Sequence, residues 1–209
     1  KAFQVDYTPD VQKGLFLAIA AAVAIHILFL LITIPLKKIF QMDVIEQATS
    51  IYSNAGILVI PLVQELLGQD YVIYSSAYIA VQLILLWTQG KNMLCEEEKL
   101  EWKKIFLNVN IISIIAGIVL FLFRIKLPAG VQDVLGMMNN MIGPLGMLLA
   151  GMAIAEVPLK SIFTKKRNYL SVAFRLLLYP VLGLFLMKAI QIVVNLENSS
   201  QILLTVYLA

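Results

Sequence analysis

Residues 50–68 read SIYSNAGILVIPLVQELLG, and four of them could do chemistry together. Ser53 and Asn54 carry a hydroxyl and an amide, while Gly56 and Pro61 weaken a helix inside a run that is otherwise apolar. Pro61 cannot donate to the carbonyl of Ile57. Unwound backbone presents unspent N–H groups, and a helix starting beyond the break aims partial positive charge at it. The chemistry on offer is non-covalent capture of an anion by backbone and amide donors. The spacing predicts loss of regular helix between about Ser53 and Pro61, with a new half-helix starting near Pro61.

Other segments carry polar groups in apolar surroundings. In DYVIYSSAYIAVQLILLWTQG, residues Tyr71, Ser75, Tyr78 and Gln82 recur at helical spacing and place hydroxyls and an amide on one face. Such a face either glues helices together or lines a cavity. In VQDVLGMMNNMIGPLGMLLAGMAIAE, the pair Asn139 and Asn140 precedes Gly143 and Pro144, which predict a second interruption. Gly136, Asn140, Gly143, Gly146, Ala150 and Ala153 form a small-residue stripe suited to close helix packing. Arg175 lies eight residues past Arg167, roughly 12 Å further along a helix axis. It either snorkels back to the surface or holds a substrate or a helix end. Lys188, near the other end of the same run, reads as snorkelling, and the lone His26 as packed or hydrogen-bonded.

No Ser/His/Asp arrangement, phosphate loop or metal-ligand spacing occurs, so the sequence points to no enzyme, cofactor or metal. The single Cys95 rules out an internal disulfide and reads as a reduced cytosolic thiol. Glu96, Glu97 and Glu98, among lysines, read as a solvated loop or helix start.

The elements that must hold these residues follow from composition. Of 209 residues, 60% are hydrophobic and 14% charged, and the mean hydropathy is +0.87. A soluble domain is about a quarter charged, so this chain belongs in a lipid bilayer. Its net charge of +3 is too small and scattered to suggest nucleic acid. Long apolar segments run over 14–36, 44–68, 71–90, 105–123, 131–155 and 169–194, and a seventh begins near Gln201. Each complete one is long enough to cross a hydrocarbon core of about 30 Å as a helix. The first has full span length and no cleavage site, unlike a signal peptide. The chain starts at Lys1 and stops within QILLTVYLA, as a piece of a longer protein would. Lys37, Lys38, Lys91, Lys99, Lys103, Lys104, Lys160, Lys165, Lys166 and Arg167 share one side, against Lys1, Lys13, Arg124 and Lys126 on the other. The richer side is expected in the cytoplasm.

Several stretches resemble one family. SNAGILVIPLVQELLG followed by SSAYIAVQLILLWTQG is similar to the fourth and fifth spans of bacterial auxin-efflux-carrier-type permeases. FLNVNIISIIAGIVLFLF resembles the sixth span and IGPLGMLLAGMAIA the seventh. Val109 stands where that family usually has proline, and Gln82 with Leu83 where it has an aromatic-asparagine pair.

The resemblance implies an all-α polytopic membrane protein, part of a ten-helix fold of two inverted five-helix repeats. Its broken fourth and ninth helices would cross at the substrate site. Residues 1–90 would then hold the last three helices of the first repeat, 91–104 a cytoplasmic linker, and 105–209 a second repeat truncated in its fourth helix. The implied function is a secondary transporter moving a small organic anion, such as malate, another carboxylate or an auxin-like acid, by alternating access. Candidate substrate contacts are Ser53, Asn54, Gly56, Pro61, Tyr78, Gln82, Asn139, Asn140 and Arg175. The implied location is the plasma membrane, a bacterial inner membrane given the short loops. Coupling to protons or sodium and assembly as a homodimer stay open. A non-transporting sensor or interaction module with the same fold is the alternative, because fold alone does not specify function.

Overall fold

A computed structural model of the chain describes residues 8–53, 55–94, 107, 109–194 and 198–209. Asn54, Cys95, the glutamates at 96–98, and Lys1, Lys99, Lys103 and Lys104 lie outside the described residues. The described residues are helical, with no strand among them.

Helix α1 spans Pro9–Phe40. Thr8 caps it, its hydroxyl accepting from the Val11 N–H at 3.2 Å, and Pro9 occupies the first turn, where a missing N–H costs nothing. Lys37 and Lys38 sit in the last turn, where cations suit the helix dipole. The left-handed Gln41 turns the chain into α2, Val44–Ile51, which opens on a reciprocal capping box between Asp43 and Glu46. Helix α3 covers Ala55–Leu66 and α4 Val72–Leu85. A π turn over Leu86–Gly90 leads into α5, Lys91–Leu94. Beyond come α6 at Val109–Leu122, α7 at Ala129–Ala155, α8 at Leu159–Thr164 and α9 at Lys166–Ala173. A second π turn, Phe174–Leu178, joins α9 to α10, Tyr179–Val193, and α11 spans Ser199–Leu208.

Among the described residues, four helical runs are long and apolar enough to cross a membrane: Pro9–Phe40, Gln69–Leu94, Ala129–Ala155 and Lys166–Val193. They fall on apolar segments read from the sequence. The segment 44–68 is divided into α2 and α3, and 105–123 is described as helix over Val109–Leu122.

α1 packs against α4, α10 and α11. It can do so because Ala18, Ala21 and Ala22 put only methyl groups in the contact and are buried. Phe29 meets Tyr179 edge to face, with centroids 4.9 Å apart, and Ile202, Leu203 and Val206 of α11 complete the core. α7 lies against α3 and leaves nearly all of its apolar surface uncovered.

Two sequence readings of this region need correction. α7 runs unbroken through Gly143 and Pro144. Proline there removes one hydrogen bond, to the Asn140 carbonyl, and a helix of 27 residues survives that loss. The small-residue stripe is also not a packed seam along its length: Gly136 is buried, but a methyl group added at Gly143 would meet nothing within 4 Å.

Gly14 is a tighter joint. A Cβ there would stand 2.8 Å from Ile202 Cδ1 and 2.9 Å from Tyr74 Cε1. Overpacking at a three-helix contact typically costs about 1–3 kcal/mol. Gly14→Ala should therefore lower the thermal midpoint of the purified protein by several degrees, while Gly143→Ala should leave it unchanged.

Candidate functional site

The helix break is real and shorter than the sequence suggested. The Tyr52 N–H closes the last turn of α2 on the Ala48 carbonyl at 2.9 Å, and Tyr52 itself is extended, at φ −99° and ψ 136°. Helix resumes at Ala55. Gly56 and Pro61 thus lie inside α3, and the second half-helix starts at Ala55 instead of near Pro61. The first-turn N–H groups of any helix have no internal partner, so Gly56 costs little there. Pro61 forfeits a single bond to the Ile57 carbonyl, less than a second interruption would cost.

Gln82 braces the break from α4. Its amide nitrogen donates to the Ser53 carbonyl. Ser53 Oγ lies 3.2 Å from the Gln82 amide oxygen and 3.1 Å from the Ala209 carbonyl, sharing its one hydrogen between them. A flanking peptide freed from helix is thus re-satisfied by a side chain 29 residues away. Tyr52, on the other flank, donates through its hydroxyl to the Gln89 amide oxygen.

The polar face of α4 points inward as its spacing predicts: Ser75 is fully buried, Tyr78 is 2% exposed and Gln82 5%, with Tyr71 half-buried.

Arg175 settles between its two sequence readings. It does not snorkel: Nη1 donates to the Ser50 carbonyl at 2.8 Å, one of the terminal carbonyls of α2. A guanidinium on a helix C-terminus meets both an unspent acceptor and the negative end of the dipole. Arg175 also lines a cavity of about 160 Å³ with Tyr78, Tyr179, Gly183 and Tyr207. Tyr179 is buried one turn beyond Arg175. Its hydroxyl lies 2.6 Å from Thr33 Oγ1, whose own hydrogen goes to the Phe29 carbonyl at 2.7 Å, so Tyr179 is the donor.

His26 is fully buried. Its Nδ1 lies 2.7 Å from the Ala22 carbonyl, its ring stands 4.9 Å from that of Tyr78, and among the described residues its Nε2 has no hydrogen-bond partner. Lys188 is exposed, as snorkelling requires.

Asn139 and Asn140 are exposed and line a separate cleft of about 370 Å³ with Ile60, Pro61 and Gln64. Ser53, Tyr78, Gln82 and Arg175 therefore gather around the break, and Pro61, Asn139 and Asn140 form a second group on the far side of α3.

Sequence reasoning missed Tyr179, Tyr52 and Gln89. Tyr179 had a legible signal, since it follows Arg175 by four residues and so shares its helix face. It also missed a clamp at the other end of α2, where Arg167 forks onto Glu46 at 2.5 and 2.8 Å and donates to the Gln41 carbonyl.

The family model described as membrane transport protein matches residues 98–205, about half of the chain. The chain belongs to this family, that of the auxin-efflux-carrier-type permeases. No curated protein and no solved structure matches it. The matched part of this membrane transport protein contains Arg175, Tyr179 and the two asparagines, whereas Ser53, Tyr78 and Gln82 precede it. Folding brings Arg175 to Ser50 and to the cavity beside Tyr78, while the two asparagines stay in the separate cleft.

Proposed function

We propose that this permease works as a secondary transporter for a small organic anion, such as malate, another carboxylate or an auxin-like acid, in the cell membrane. One observation carries the reading: Arg175, two turns inside an apolar helix, holds the end of α2 at the break and lines the cavity there. A half-buried cation in an apolar run is costly unless it is used, and among the described residues its hydrogen bond runs from Nη1 alone, which leaves its other donors to a ligand oxygen. An anion in the cavity would meet Arg175 and the hydroxyl of Tyr78, while the first-turn N–H groups of α3 lie beyond the cavity lining and would come into reach only as the half-helices move. Two half-helices meeting at such a site can change their relative position without breaking a continuous helix, which suits alternating access.

The test is uptake. Full-length protein in liposomes is offered labelled malate and labelled indole-3-acetate, each with and without a proton or sodium gradient. Saturable uptake of either anion is expected. Absence of both uptake and binding for a panel of mono- and dicarboxylates overturns the reading.

Asn54 separates ligand contact from bracing. If its amide donates to a carboxylate, Asn54→Ala loses a charge-assisted hydrogen bond of about 1.5–3 kcal/mol, roughly a tenfold to hundredfold fall in affinity. If it only caps the break, melting temperature falls while affinity in the surviving protein stays normal. Both quantities are measured on one purified variant.

A further inference from the structure

A cleft of about 730 Å³ opens where α1, α2 and α5 converge, distinct from the Arg175 cavity. Its floor is apolar, made by Leu30, Ile34, Ile51 and Met93, and its mouth carries Lys37 and Lys38. Among the described residues, no carboxylate pairs with either lysine. Ile34 lines the cleft yet is itself 55% exposed, an apolar lip, and Ile39, next to Lys38 in the chain, is 70% exposed.

We propose that this cleft binds an anionic phospholipid from the leaflet on the Lys37 side of the membrane. Lys37 and Lys38 would take the phosphate, and the floor the first part of an acyl chain. The shape and charge argue for an amphipathic anion: a small hydrophilic anion would leave the four floor side chains unused, and a neutral lipid would leave two ammonium groups unanswered. The lip argues for the source. Exposed isoleucines beside the lysines place the mouth at the boundary between hydrocarbon and headgroups, where lipid is present at high local concentration and a soluble solute is not.

The site also has a route to the rest of the protein. Thr33 and Gln89 line the cleft, and their partners are Tyr179, in the Arg175 cavity, and Tyr52, at the break. An occupied cleft would brace both contacts from behind.

The experiment uses full-length protein transferred to nanodiscs of palmitoyl-oleoyl phosphatidylglycerol and the matching phosphatidylcholine, with retained lipid read by native mass spectrometry. Wild type should retain phosphatidylglycerol preferentially. Lys37→Gln with Lys38→Gln should lower that preference roughly thirtyfold, and Lys37→Arg with Lys38→Arg should keep it. Ile34→Trp leaves both charges and fills the floor, so it should also expel the lipid; if the glutamine variant does not fold, this one decides. Equal retention of the two lipids by wild type overturns the proposal, as does unchanged retention in the folded variants. Displacement of bound phosphatidylglycerol by millimolar malate would assign the cleft to a soluble anion and overturn it equally. The phosphatidylglycerol preference and its loss in the variants are read without malate, so they do not depend on whether the protein transports it.

Discussion

Replacing Arg175 with glutamine should weaken anion binding by roughly a hundredfold to a thousandfold. Truncating one partner of a buried, hydrogen-bonded charge pair costs about 2–5 kcal/mol, and glutamine removes the charge while keeping a donor. The same change leaves the Ser50 carbonyl with a weaker partner in place of the guanidinium 2.8 Å away, so some stability is lost as well. Lysine separates the two roles. Its compact ammonium can reach one acceptor but not fork across two, so Arg175→Lys should restore thermal stability and only part of the affinity. Isothermal titration and thermal unfolding on wild type, Arg175→Gln and Arg175→Lys give the answer. Normal affinity in Arg175→Gln with a lowered melting temperature would reduce Arg175 to a cap for α2 and remove the main support for an anion site.

Gln82→Leu should be the most destabilising change on α4. It deletes the donor to the Ser53 carbonyl and the acceptor near Ser53 Oγ, in a place 5% exposed. Two hydrogen bonds at about 1 kcal/mol each, plus the penalty for an orphaned buried carbonyl, amount to about 2–4 kcal/mol. A fall of roughly 5–15 °C in melting temperature would follow. Gln82→Glu keeps the shape but, when ionised, turns acceptor oxygens toward a carbonyl, so it should not rescue. Should Gln82→Leu melt like wild type and lose affinity instead, Gln82 is a substrate ligand and the break is held by other means.

The sequence is most legible where the deciding interactions are local. Span lengths follow from runs of apolar side chains. The inward face of α4 follows from polar groups spaced three or four residues apart. Each depends on near neighbours along one helix, and a membrane sharpens the signal because lipid satisfies no stray polar group. The family likeness was legible for the same reason, being carried by contiguous motifs.

Prolines were the least reliable guide. Pro61 and Pro144 both read as interruptions, and both sit inside helices. A proline removes one bond, and whether the chain breaks there depends on what else can satisfy the backbone nearby. At Ser53 something can: the Gln82 amide reaches across from α4 to its carbonyl. At Pro61 and Pro144 the helix loses less by continuing. Only the tertiary structure decided where the break falls, since the groups that stabilise it come from another helix.

Arg175 shows the same division. Its sequence position says that a charge lies within an apolar run and must be answered. It cannot say by what, because a side chain that long reaches the surface, a ligand or a neighbouring helix equally well. The answer, the Ser50 carbonyl, is 125 residues away. The sequence by itself determined that this chain belongs in a membrane, where its long apolar segments lie and which face of α4 is hidden. The tertiary structure alone determined which hidden groups meet, because contacts between residues so far apart are set by how helices pack and not by the order of residues within them.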